Sequence, residues 1–280
     1  MRRVRIALAL LCVLVSASLS LPVGATPIGG NGQWRYGVGH SKGFDACAAP
    51  SLALMGTWWT YSPYYSIGIY VGGSARACSQ PNLTTAWLQS AHGYGYSFYP
   101  TWVGPQMSCS GFASRMSSDP TTAWWQGMDN ANQAVSAMVA LGLDGYQVVY
   151  YDLEGVYNAS TGCRNAAKSF VDGWVYRLHS YYGWNAGMYG SSCTSYPTDW
   201  ATIGSPPDTV WIANYNGDPD VWGLSCLPDG YWAYDQRLHQ WQGGHNETWG
   251  GFTPNMDNNC EKGPVSPHTT GGFNGPCTYE

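Results

Sequence analysis

Charge is scarce in this sequence. Only 10% of its 280 residues are Asp, Glu, Lys or Arg, and 17 acidic side chains outnumber 12 basic ones. No basic patch or stripe is available to track a phosphate backbone, which sets nucleic-acid binding aside. The same acidity gives no long-range attraction to an anionic polymer, so contact with one would have to be short-range. The six histidines form no HExxH-like cluster and no two cysteines stand in a CxxC pair, so neither a metal nor a cofactor is expected. A serine nucleophile is not expected either, since Ser191 and Ser192 have no obvious histidine partner. Beyond the first residues, no apolar run is long enough to span a bilayer.

Those first residues have a function of their own. Arg2, Arg3 and Arg5 precede an apolar run from Ile6 to Val15, and Val23-Gly24-Ala25 supplies small residues for cleavage. Residues 1–25 therefore read as a secretory signal peptide, of general or twin-arginine type. The mature chain is expected to be secreted, extracellular, free of membrane spans and monomeric. Removing the leader leaves nine basic against seventeen acidic residues, a formal net charge of −8. Cys12 leaves with it, and Cys47, Cys78, Cys109, Cys163, Cys193, Cys226, Cys260 and Cys277 remain. Eight thiols in an exported chain predict four disulfides, with 105 connectivities open. The sequons at Asn82, Asn158 and Asn246 matter only in a cell that glycosylates its exports.

Strand-like and helix-like runs alternate. Gly43–Asp45, Tyr64–Gly73, Tyr96–Gly104, Gln147–Glu154, Asn185–Gly190, Thr209–Tyr215, Leu238–Gln242 and Phe252–Asp257 read as strands. Asn82–His92, Thr121–Leu141 and Cys163–Tyr181 read as helices, with only Pro197–Ile203 between strands five and six. Eight strands separated by helices predict parallel pairing, and hence an α/β fold: a (β/α)8 TIM-like barrel, distorted where helices are short, in one disulfide-braced domain. The barrel is placed at residues 40–262, followed by a Pro/Gly-rich C-terminal tail at 263–280 that Cys277 would pin.

The fourth strand, QVVYYDLE, carries the chemical signal. Side chains alternate faces along a strand, so Val148, Tyr150, Asp152 and Glu154 share one side while Val149, Tyr151 and Leu153 face the helices. Two acids at the C-terminal tip of a parallel strand stand where such barrels keep their active sites. Neighbouring carboxyls push one another's pKa apart, and a protonated–ionised pair is what glycosidic cleavage uses. Asp45 ends the first strand and Asp257 lies in the last, so four carboxylates are expected at one mouth. Ionised Asp152 is expected to keep Glu154 protonated. Fifteen Trp, 21 Tyr and 36 Gly suit the stacking of sugar rings, with Trp102 and Trp241 as candidates in strand-to-helix loops. Asp129 reads as an acid near a helix N-terminus and His239 as a hydrogen-bonded strand residue.

The ordered set GFDAC (43–47), YVGG, PTWVGPQ (100–106), LGLDG, YYDLE, GMYG (187–190), WIANY (211–215), HQW (239–241) and MDNN (256–259) resembles the Rv2525c-like glycoside-hydrolase-like domain, also called DUF1906, over residues 40–262. That domain is in turn similar to the family 25 lysozymes. The resemblance implies a secreted, lysozyme- or muramidase-like glycoside hydrolase acting on a cell-wall polysaccharide of peptidoglycan type. Glu154 would be its proton donor, Asp152 would steady the acetamido group, and Asp45 and Asp257 would shape the cleft's electrostatics. Tyr189, Trp211, Tyr215 and Gln240 would line the pocket or its floor. The alternative is a non-catalytic carbohydrate-binding barrel that has kept the cleft and lost turnover.

Overall fold

The computed structural model describes residues 36–269 and Cys277. The expected leader and most of the tail lie outside the described residues. In chain order the elements are β1 (Gly37–Asp45), α1 (Leu52–Tyr61), β2 (Tyr64–Gly72), α2 (Thr85–Tyr94), β3 (Ser97–Trp102), α3 (Pro120–Ala140), β4 (Val148–Asp152) and α4 (Thr161–Arg177). After a π-helical turn at Leu178–Tyr182 follow β5 (Asn185–Ser191), α5 (Pro197–Trp200), β6 (Thr209–Ala213), β7 (Arg237–Asn246) and β8 (Asn255–Val265). The strands close into a barrel in sequence order, β8 returning to β1. No helix among the described residues is long and apolar enough to cross a membrane.

One strand departs from the parallel expectation. β1 to β6 each pair parallel with the next strand, but β8 runs antiparallel to both β7 and β1. A parallel partner needs a crossover of a dozen or more residues, and the short turn between Asn246 and Asn255 permits only a hairpin. β8 also continues to Val265, past position 262, and Cys260 bonds to Cys277 of the tail segment.

Side-chain alternation sorts the core into two layers. Tyr99, Val148, Tyr150, Trp211, Leu238 and Val265 fill the barrel, while Val149, Tyr151 and Leu153 of the same β4 segment pack outward with the helices. Aromatics take the place of the usual branched aliphatics inside. Trp211 meets Tyr99 and Tyr189 at ring-centre distances of 4.9 and 4.5 Å, and plugs the barrel beneath the mouth. On the outside, α3 and α4 approach so closely that a Cβ at Gly127 would lie 2.0 Å from the Phe170 carbonyl oxygen, and one at Gly173 2.0 Å from that of Trp124.

Side-chain caps start the helices. Ser51, Thr84, Asp119 and Ser160 each accept an N–H from the first turn of α1 to α4 in order. Asp129 is thus not an N-terminal acid; it sits in the third turn of α3, bonded to Gln133. Between β6 and β7 there is no helix. Fully buried Arg237 holds that loop instead, donating to the carbonyls of Val221, Pro228 and Tyr231 and to Asp229.

The disulfides fall into a pattern. Cys47–Cys78 joins the segments after β1 and β2, Cys109–Cys163 those after β3 and β4, and Cys193–Cys226 those after β5 and β6. All three staple neighbouring segments that follow strands at one end of the barrel, Cys163 from the first turn of α4.

Candidate active site

That stapled end carries the acids. Asp45 closes β1 and is 1% exposed. Its Oδ1 accepts the Tyr70 hydroxyl at 2.7 Å, and its Oδ2 accepts the side-chain amides of Asn259 at 2.7 Å and Gln240 at 2.9 Å. Burial, then the neighbouring Asp257, push its pKa up to about 7 against the pull of these three donors. Asp257 is the direct register partner of Asp45 across β1 and β8. It lies near the start of β8, and only the antiparallel course of that strand brings this end to the mouth. Asp257 accepts from Gln240 at 3.2 Å and from the Gly244 amide, and burial raises its pKa as well.

Gln240 ties this half of the mouth together. While its amide group donates to both aspartates, its carbonyl oxygen accepts the hydroxyls of Tyr189 at 2.7 Å and Tyr215 at 3.0 Å. Trp211 lies below, fully buried, its indole N–H donating to Asn259 at 2.8 Å. Of Tyr189, Trp211, Tyr215 and Gln240, only Tyr215 lines either of the two cavities described below.

Asp152, the last residue of β4, differs sharply. It is 5% exposed, yet its Oδ1 has no hydrogen-bond partner. Burial, then Glu154, then Asp45 hold its pKa well above the ordinary carboxyl range. Glu154, two residues on, is exposed to solvent and raised by burial alone. The two acids thus differ in what raises them: Asp152 loses its hydration and faces Glu154 and Asp45, whereas for Glu154 the cause is burial alone, with no contribution from a charged Asp152. The turn bearing both acids is clamped from two sides. Buried Gln106 donates to the Asp152 carbonyl at 2.8 Å and accepts the Glu154 amide at 2.7 Å, while Ser195 donates to the Leu153 carbonyl at 2.9 Å.

Asp45, Asp152, Glu154 and Asp257 line one cleft of about 370 Å³, together with Tyr70 and Arg76. A second groove adjoins it across Gly244 and Asp257, walled by Tyr215 and Trp241. Trp102 joins neither. It lies on the outer face of β3 with its ring against Gly72 and its indole N–H on Asn130 of α3, so its expected sugar contact is corrected to a packing role. His239 is buried between the carbonyls of Asp220 and Asn214, as a strand residue should be.

Sequence reasoning passed over Tyr70, Asn259, Gln106 and Arg76. Asn259 was within reach, since it shares a strand face with Asp257 two residues before it. It also passed over Gly39–Gly43, GHSKG, which has the G-x-S-x-G spacing of a nucleophile elbow. This segment lies inside β1 rather than at a strand-to-helix turn, and buried Ser41 donates to Glu261, so the spacing does not present Ser41 as a nucleophile. No group of three potential metal ligands occurs among the described residues.

The family described as "Rv2525c-like, glycoside hydrolase-like domain" matches residues 57–260. No curated protein matches the sequence. Among solved structures, an uncharacterised protein of B. stearothermophilus superposes with a TM-score of 0.54 at 13% identity, covering 79% of this chain and 95% of its own. A family 25 glycosyl hydrolase from Bacillus anthracis gives 0.48 at 13% identity (80% and 89% covered). The catalytic domain of endolysin ply40, from bacteriophage P40 of Listeria monocytogenes, gives 0.48 at 14% identity (79% and 92%). The first of these likenesses bears on the fold alone.

Proposed function

The chain belongs to the Rv2525c-like, glycoside hydrolase-like family, and on that premise we propose that it is an exported hydrolase cleaving a β-glycosidic bond of a cell-wall polysaccharide of peptidoglycan type. The observation that carries this reading is the contrast within the Asp152–Glu154 pair. One carboxyl is buried with an oxygen left free, the other is exposed with a raised pKa, and both line one cleft.

Glu154 protonates the departing glycosidic oxygen. A carboxyl whose pKa is raised and which is open to water can both deliver a proton and recover one. Asp152 acts through the substrate. An acetamido N–H placed on its free Oδ1 supplies the missing hydrogen bond, which favours the ionised form and lowers its pKa. The resulting negative charge then stabilises positive charge developing at the sugar's anomeric carbon. No further carboxylate is free to attack that carbon, because Asp45 and Asp257 are engaged by Gln240. The substrate's own acetamido oxygen is the nucleophile this arrangement favours, and water completes the reaction from the opposite side. Four disulfides suit an oxidising compartment outside the cytosol.

The test is incubation of the mature chain with a panel of wall polysaccharides, reading new reducing ends. Wild type should release them and Glu154→Gln should not. Glycan binding by both proteins with release by neither would make the cleft a sugar-binding site only.

A further inference from the structure

Arg76 stands out within the cleft. It is a cation among four carboxyl groups, yet it forms no ion pair among the described residues. Its one side-chain hydrogen bond among the described residues runs from Nη1 to the Tyr70 carbonyl at 3.3 Å. Elsewhere in the protein, Arg164 pairs with Asp199 and Arg237 with Asp229, while Arg115 and Arg177, which also form no ion pair among the described residues, line neither cavity. An arginine fork carries five donors suited to a carboxylate, and Arg76 leaves most of them unused.

Its position is fixed rather than accidental. The loop after β2 is held at Gly73, where φ is +114° and a Cβ would meet the Val103 carbonyl oxygen at 2.0 Å. One residue before Arg76, the Ala75 amide donates to the same carbonyl at 2.9 Å. Two residues after it, Cys78 is bonded to Cys47, itself two residues from Asp45. Gln80 then bridges back to the Cys47 carbonyl at 2.7 Å and the Ala49 amide at 2.8 Å. A loop anchored this closely holds its arginine at the cleft wall before any ligand arrives, which reduces the ordering cost on binding.

Resting on the glycan reading of the same cleft, we infer that Arg76 selects an acidic glycan: it receives a carboxylate carried by a sugar ring bound across Asp152 and Glu154. A neutral glycan gives an unpaired guanidinium in this acidic cleft nothing to do. Because the protein as a whole repels anionic polymers, this attraction acts at contact and through paired hydrogen bonds.

The test is calorimetric titration of Glu154→Gln protein, which removes turnover, with four tetrasaccharides. One is neutral, built of N-acetylglucosamine. The second alternates N-acetylglucosamine with N-acetylmuramic acid, the third is the same with its lactyl carboxylates converted to methylamides, and the fourth carries hexuronate. The inference requires that a carboxylated probe bind roughly tenfold or more tightly than the neutral and amidated ones. Adding Arg76→Gln should abolish that preference and leave the neutral probe's affinity in place. Arg76→Lys should restore part of it, because lysine keeps the charge and loses the fork. Preference for the muramyl or the hexuronate probe identifies the source of the carboxylate. Equal binding of carboxylated and amidated probes by the parent protein, or a uniform loss in Arg76→Gln, overturns the inference while the glycan reading stands. Failure to bind any of the four overturns both.

Discussion

Asp45 and Asp152 are both buried carboxyls at strand ends of one barrel mouth, and they are provided for in opposite ways. Asp45 is enclosed by three donors and shares one of them with Asp257. Asp152 keeps an oxygen with no partner at all. A buried polar atom without a hydrogen bond costs about 1–3 kcal/mol, and proteins tolerate it chiefly where function repays it. The comparison separates a carboxylate that belongs to the scaffold from one held ready for a ligand.

The sharpest way to break this contrast is to remove chemistry from one side and structure from the other. Glu154→Gln should lower turnover by roughly 10²-fold or more, since it deletes the proton to be transferred. Asp152→Asn should be similarly severe, with glycan binding retained in both, as measured by reducing-end release beside calorimetry. An Asp152→Asn protein with wild-type turnover would show that the charge on Asp152 serves nothing.

Stability should then run the other way. Asp45→Ala strands the donors of Tyr70, Gln240 and Asn259, at a cost on the order of 3 kcal/mol, or a fall in Tm of roughly 6–12 °C. Asp152→Ala strands no donor at Oδ1 and relieves a buried carboxyl, so its Tm should be unchanged or higher. Such a gain in stability with loss of function is what a strained active-site group predicts. Thermal melts of the two variants in one buffer decide the matter; the reverse order of Tm values would erase the distinction.

How much of this was legible beforehand depends on the kind of signal. The strand period of two in QVVYYDLE was enough to put Tyr150 inside, Tyr151 outside and both acids at the cleft. The same parity, applied to β3, would have put Trp102 on the outer face with Phe98, but composition drew attention to it as an aromatic instead. Helix α1 left no periodic trace, because LALMGTWWTY is apolar almost all round and carries a glycine. Strand direction leaves no trace in side-chain alternation either, so the reversal of β8 could be sensed only from the short turn before it. Tyr70, Gln106 and Asn259 escaped for a related reason. An amide or hydroxyl reads the same in sequence whether it meets water or a buried carboxylate, and only closure of the barrel brings β1, β2, β7 and β8 around Asp45.

A buried carboxyl below the mouth extends the comparison to pH. Glu261 is fully enclosed in the barrel, accepts from Ser41 at 3.1 Å, and is pushed by burial up to about 8. Asp45 is raised to about 7. A carboxyl whose pKa rises on folding binds more protons folded than unfolded, so stability is full below the unfolded value and falls as pH climbs through the folded one. Both groups should thus weaken the fold between about pH 4.5 and 8. Glu247 works in the opposite sense at lower pH, since donors from Tyr64, Trp249, His245 and Asn258 depress its pKa. Glu261→Gln keeps an acceptor for Ser41 and deletes the titration. It should match wild type near pH 5 and exceed it by a few kcal/mol, to an order of magnitude, at pH 8.5. Denaturant melts across that range measure the difference, and parallel curves for the two proteins would contradict the burial assigned to Glu261.

The smallest expected effect distinguishes two tryptophans that looked alike in sequence. Trp241 walls the groove that continues the cleft past Asp257, facing Tyr215, which is 63% exposed. A sugar ring entering there meets two aromatic side chains at the edge of the four clustered acids. Ring contacts of this kind contribute about 0.5–1.5 kcal/mol, so Trp241→Ala should weaken binding of a tetrasaccharide two- to tenfold, roughly, and spare a disaccharide that stops short of the groove. Trp102→Phe should leave both affinities unchanged and cost about 1 kcal/mol of stability through its lost bond to Asn130. The length dependence is the decisive reading. If Trp241→Ala weakened both sugars equally, the groove would belong to the cleft itself; if Trp102→Phe weakened either, the outer face of β3 would have to reach the mouth.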